Sequence, residues 1–107
     1  MNEQPNFSYI NQLSGGDLAF EAKLINIIKE ELPKEVEQYL WNLNHKKYQL
    51  AANDVHKLKH KISIFGLELS YKLANEYENE LKAENISKKD EFLEILNAMI
   101  NFIEEIK

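Results

Sequence analysis

The run HKLKHKISIFG, residues 56–66, places a histidine, a lysine three residues later and a glycine ten residues later in one segment. Residues three and four apart on a helix share a face, so Lys59 falls beside His56 and brings an ammonium near any anion that the imidazole carries. An unperturbed imidazole is largely neutral at pH 7 and therefore nucleophilic. Such a pair is suited to taking up and releasing a phosphoryl group, with Gly66 placed to end the helix.

Helical projection at about 100° per residue puts His56 roughly 135° from the centre of the Val55-Leu58-Ile62 stripe, so its side chain is expected in solvent. On the same projection Ala52, Lys59, His60 and Ser63 fall within about 60° of His56, and Ile64 within about 80°. The expected site is then His56 as the phosphorylated nucleophile and Lys59 as its charge stabiliser, with Ala52, His60, Ser63 and Ile64 as the surface on which a partner docks. Exposed lysines and histidines are ordinary on their own. Ile64, apolar and directed away from the core stripe, is the candidate anchor for a partner. The tyrosines, Phe65 and the lone Trp41 are expected in the core or at its boundary.

The elements that must hold this face are helical. Only three glycines and two prolines interrupt the 107 residues, of which 44% are apolar and 29% charged. Phe7, Ile10 and Leu13 recur at helical spacing before the Ser14-Gly15-Gly16 turn, which predicts a short lid helix. Asp17 follows as the N-cap of a long helix whose stripe runs through Leu24, Ile25, Ile28 and Leu32 and resumes in phase at Val36, Leu40 and Leu43, so Pro33 is expected to kink one helix rather than start another. Residues 42–47 form a polar break that contains His45. A third helix over about 48–65 carries Ala51, Val55, Leu58, Ile62 and Phe65 on its buried face. A fourth, about 67–83, turns Leu73, Ala74, Tyr77 and Leu81 inward and ends at Asn85. Ser87 is expected to cap the fifth, with Asp90 completing an imperfect capping box, and Phe92, Leu96, Met99, Ile103 and Ile106 form its stripe. Four amphipathic helices with short connections predict an all-α, antiparallel up-down four-helix bundle, with the short N-terminal helix covering one end. One domain, 1–107, is expected.

Composition excludes several function classes. A net charge of −5 argues against a nucleic-acid backbone as partner, which requires clustered Lys and Arg. The absence of cysteine removes disulfides, thiol catalysis and thiolate metal sites. The opening MNEQPNFSYI lacks the pattern of a signal peptide, and no run approaches the roughly 18 apolar residues of a membrane span, so a cytoplasmic protein with no membrane partner is expected.

The run from His56 to Gly66, preceded by Asp54-Val55, resembles the H-x-L-K-G-x(5)-G signature of histidine-containing phosphotransfer (Hpt) domains of two-component phosphorelays, with His56, Leu58, Lys59 and Gly66 in register. Gly15-Gly16-Asp17 is similar to the family's glycine-glycine-aspartate helix start, and Tyr77-Glu78 lies where the family often carries an apolar-Glu pair. The resemblance covers most of the chain. It implies a monomeric phosphocarrier rather than an enzyme, with no cofactor of its own. Its partners would be response-regulator receiver domains, which bring the acceptor aspartate and Mg²⁺, either separately or within a hybrid histidine kinase. It departs from the family at His60, which stands where glycine usually follows the motif lysine; there it either excludes some receivers sterically, the reading the bulk of the ring favours, or supplies a polar contact.

Two other readings compete. His56 and His60, at i and i+4, could ligate Zn²⁺ from one helix, although no HExxH motif or cysteine completes such a site and His45 is the sole further histidine. Alternatively, the chain is a helical adaptor or a degenerate Hpt domain that binds partners without transferring phosphate.

Overall fold

The computed structural model describes residues 3–105. Five helices follow one another, α1 (Ser8–Ser14), α2 (Leu18–Asn44), α3 (Tyr48–Ile64), α4 (Glu68–Lys82) and α5 (Lys89–Glu104), and no strand occurs among the described residues. At about 1.5 Å per residue, α2 is about 40 Å long, which accounts for the 43 Å long axis of the molecule. α3 packs most closely on α4 and α2, while α5 closes the helical bundle against α2 and α4.

Local chemistry sets the helix ends. Asp17 caps α2 as expected, its Oδ1 accepting from the Phe20 N–H at 3.1 Å. Pro33 lies inside one continuous α2. α3 ends in a Schellman arrangement: the Gly66 N–H donates to the Ser63 carbonyl and the Leu67 N–H to the Ile62 carbonyl. Gly66 has φ +72°, where a side chain is strained, and a Cβ there would meet the Asn6 side chain at 2.8 Å. The same turn at the end of α2 uses Lys46 (φ 58°) instead of glycine, and at the end of α4 Glu84 (φ 60°).

Two boundaries differ from expectation. α4 ends at Lys82 with Glu84, not Asn85, in the left-handed conformation. α5 begins at Lys89 after Lys88 and has no side-chain cap; Ser87 is drawn away, its hydroxyl donating to Glu80 Oε1 at 3.1 Å.

The core is drawn from every helix. Ala51, Val55, Leu58, Ile62 and Phe65 of the α3 segment are all buried, as are Leu73, Ala74, Tyr77 and Leu81 of α4 and Phe92, Leu96, Met99 and Ile103 of α5. Ile106, expected to extend that stripe, lies outside the described residues. The second half of α2 departs from expectation, because Tyr39 and Asn42 are buried there while Leu40 and Leu43 are only partly covered. Polar pairing explains the difference: the Tyr39 and Tyr77 hydroxyls hydrogen-bond at 2.6 Å, and Asn42 Nδ2 donates to Asp54 Oδ2 at 2.6 Å while Gln38 Nε2 donates to Oδ1 at 3.1 Å. The two bonds to Asp54 tie α2 to α3, the helix that carries His56, and the tyrosine pair ties α2 to α4. Trp41, expected at or near the core, is 52% exposed and stacks on His45.

The N-terminal segment is bound at several points. Phe7 packs on Phe65 and Phe102 with ring centroids 6.1 and 4.8 Å away, Ile10 of α1 is fully buried, and the Asn6 N–H donates to the Phe65 carbonyl at 3.0 Å. No helix among the described residues is long and apolar enough to cross a membrane.

Candidate functional site

His56 lies in the middle of α3 with its side chain 57% exposed. Val55 just before it and Leu58 two residues after it are fully buried, so the backbone beneath the imidazole is fixed by the core while more than half of the ring side chain is in solvent.

Glu78 of α4 organises the ring. His56 Nδ1 lies 3.2 Å from Glu78 Oε1, and the Lys59 ammonium lies 2.8 Å from the same oxygen. Burial pushes the Glu78 carboxyl up, but hydrogen bonds from Lys59 and His56, together with their charges, outweigh it and hold it below the ordinary carboxylate value. An ionised carboxylate can only accept, so the proton of the neutral imidazole sits on Nδ1 and the lone pair on Nε2. Nε2 makes no hydrogen bond among the described residues. The arrangement is a nucleophilic nitrogen aimed at solvent, with the opposite nitrogen anchored.

Lys59 occupies a different place from the one the helical projection gives it. It is buried, 7% exposed, and its ammonium donates to Asn75 Oδ1 at 3.0 Å as well as to Glu78; the Tyr71 ring centroid lies 5.6 Å away. Glu78, Asn75 and Tyr71 all come from α4, so the lysine bends across the α3–α4 seam with its stem against the core. Lys82 approaches the other Glu78 oxygen at 3.6 Å.

The remaining expected residues divide. His60 is exposed, with its ring 5.4 Å from that of His56 and at 85° to it. Ser63 is exposed and Ile64 half-buried, packed in part against the core. Ala52 is 1% exposed and belongs to the core cluster, so it offers no docking surface: a methyl group at the edge of the buried stripe is readily covered. Gly66 ends α3 and adjoins an open cleft of about 640 Å³ between α1, the end of α3 and the start of α4, bordered by Tyr9, Ser63, Tyr71 and Lys72.

Asn75 and Tyr71 were not legible as site residues, since their involvement depends on how α4 is rotated against α3. Their spacing with Glu78, at 71, 75 and 78, is the one signal that they share a helix face. No group of three or more His, Cys, Asp or Glu side chains among the described residues is arranged to hold a metal ion, so His56 and His60 find no third ligand there. No family model matches the chain, and neither does any curated protein or solved structure.

Proposed function

We propose that this chain is a histidine phosphotransfer carrier of a cytoplasmic two-component phosphorelay, built as an antiparallel up-down bundle of α2–α5 with α1 over one end. His56 takes a phosphoryl group from a receiver-domain aspartate and passes it to another. The observation that carries the reading is the solvent-facing Nε2 of an imidazole whose Nδ1 is braced by the ionised Glu78.

The step balances without a general base. The Nε2 lone pair attacks the phosphorus of the aspartyl phosphate, the N–P bond forms, and the P–O bond to the aspartate breaks with its electron pair leaving on the carboxylate. The ring becomes cationic and keeps its Nδ1 proton, which Glu78 accepts as a hydrogen bond; the carboxylate thus compensates charge that develops during transfer. Lys59 holds that carboxylate in position from below and adds a positive charge to the site. The rest is orientation: a rigid helix presents the nitrogen in line with the bond that breaks. The receiver brings the acceptor carboxylate and Mg²⁺, and docks over His60, Ser63 and Ile64.

Radiolabel transfer tests the reading. The protein is incubated with receiver domains phosphorylated on aspartate, and acid-labile label is expected on the parent but not on His56→Gln, with circular dichroism unchanged. Full labelling of His56→Gln would overturn the assignment. A helical adaptor without phosphotransfer would instead bind receivers, with or without His56, and take no label.

A further inference from the structure

We propose that His60 contacts the phosphoryl group on His56 directly, donating a ring N–H to a phosphoryl oxygen, and so sets the lifetime of the phosphorylated state. The inference rests on His56 being the phosphorylated residue. It starts from a mismatch between where positive charge is needed and where it is found. A phosphoryl dianion on Nε2 projects away from Glu78, into solvent. The nearest lysine in sequence register, Lys59, is buried on the Nδ1 side of the ring, with its ammonium held by Glu78 at 2.8 Å and Asn75 at 3.0 Å. Lys82 approaches the other oxygen of Glu78, again on the Nδ1 side. Lys61 is turned to α2, where it pairs with Glu31 and Glu35. Lys57 is exposed, but adjacent residues on a helix do not share a face with one another.

Among the described His and Lys side chains of α3, His60 is the one that is exposed and one helical turn from His56. Its ring centroid is 5.4 Å away with the planes at 85°, an arrangement in which one ring's edge addresses the other. An imidazole always carries at least one N–H, and two when protonated, so it can donate to a phosphoryl oxygen in either state. Hydrogen bonds to ionised oxygens are the stronger class. In a loose, metaphosphate-like transition state the phosphoryl group carries less negative charge than the starting dianion, so a donor to its oxygens stabilises the phosphorylated protein more than the departing group. His60 should therefore slow hydrolysis.

The test uses no partner protein, so a docking role for His60 cannot contribute. The whole chain is phosphorylated with phosphoramidate, and the phosphohistidine at position 56 is followed by its ³¹P resonance, identified by its loss in His56→Gln. For His60→Leu the half-life should fall by roughly three- to tenfold, about the value of one hydrogen bond to a charged oxygen in water-exposed surroundings. His60→Gln, which restores an N–H donor, should lie within about twofold of the parent, and Lys57→Met, which removes an exposed charge from another face of α3, should leave the half-life unchanged. Equal half-lives in the parent and His60→Leu overturn the inference, as does a parent that takes no phosphate on His56. If the lifetimes change as expected but no receiver domain exchanges phosphate with the protein, the contact stands and the relay reading fails.

Discussion

Lys59 and His56, three residues apart on α3, meet at a single oxygen: Glu78 Oε1 lies 2.8 Å from the lysine ammonium and 3.2 Å from the histidine Nδ1. The lysine is thus beneath the imidazole, joined to it through a carboxylate from the next helix. That relationship makes Glu78 the residue on which the ring's tautomer, the lysine's burial and the α3–α4 seam all depend.

Glu78→Gln should therefore destabilise the fold by about 1–2 kcal/mol at pH 7, since Lys59 loses its anionic partner but keeps Asn75. The native carboxyl binds its proton less readily than in the unfolded chain. Its contribution is then complete above the unfolded value and lost as pH falls below about 4.5 and through the lower native value. Urea unfolding of parent and variant at pH 7 and about pH 3 should give a stability difference that is larger at the first than at the second. A difference that is constant with pH would mean that the carboxylate charge is not what Lys59 and His56 recognise.

Lys59→Met retains the buried stem and removes the charge. Transfer to His56 should slow without ceasing, because the nucleophile remains and Glu78 still has His56 and Lys82. If Lys59 acts by holding Glu78, the effects of Lys59→Met and Glu78→Gln on transfer rate will be strongly non-additive in a double-mutant cycle. Additive losses would instead show that the ammonium reaches the phosphoryl group on its own.

The five-helix order, the α3, α4 and α5 stripes and the exposure of His56 were readable from 3.6-residue periodicity, because apolar burial dominates where a helix has one uninterrupted face. Apolar periodicity does not mark positions where polar groups are buried in pairs. Tyr39 and Asn42 displace Leu40 and Leu43 from the interior of α2 because Tyr77 and Asp54, on other helices, satisfy them. Lys59 moved from the exposed face to the interior for the same reason, since Glu78 and Asn75 offset the cost of burying its charge. Ala52 went the same way more simply: a small apolar residue at the edge of a stripe is covered by whatever packs next to it. Ser87 shows the local version of the problem, a favourable cap whose hydroxyl bonds Glu80 instead.

Gly66→Ala should cost about 1–2 kcal/mol, because the residue holds φ +72° in a turn that closes two hydrogen bonds at the end of α3. The Asn6 side chain that a Cβ would meet at 2.8 Å is the tip of a short polar group, so that part of the clash can be relieved. Asn6→Ala in the Gly66→Ala background should thus recover little of the loss in thermal unfolding. Substantial recovery would identify close approach, rather than backbone conformation, as the reason for glycine.

Glu3 closes the other side of the same junction. α4 begins without a cap of its own at Leu67, and the Glu3 carboxylate takes that role from the start of the chain, accepting from the Leu69 N–H at 2.7 Å and from the Ser70 N–H at 2.8 Å. Burial pushes its carboxyl up, but the backbone donors at Leu69 and Ser70 and the Ser70 hydroxyl outweigh this, so the native group sits below its ordinary value. A charged acceptor at a helix N-terminus is favoured both by the orphan amides and by the helix dipole. Glu3→Ala should lower stability by about 1 kcal/mol, and Glu3→Gln by less, because the amide oxygen still accepts. Amide hydrogen exchange gives the sharper readout: Leu69 and Ser70 should exchange faster in Glu3→Ala while the amides at the centre of α3 change only as far as global stability does. If exchange at Leu69 and Ser70 is unaltered, the cap does not hold the start of α4, and the N-terminal segment is bound through Asn6, Phe7 and Ile10 alone.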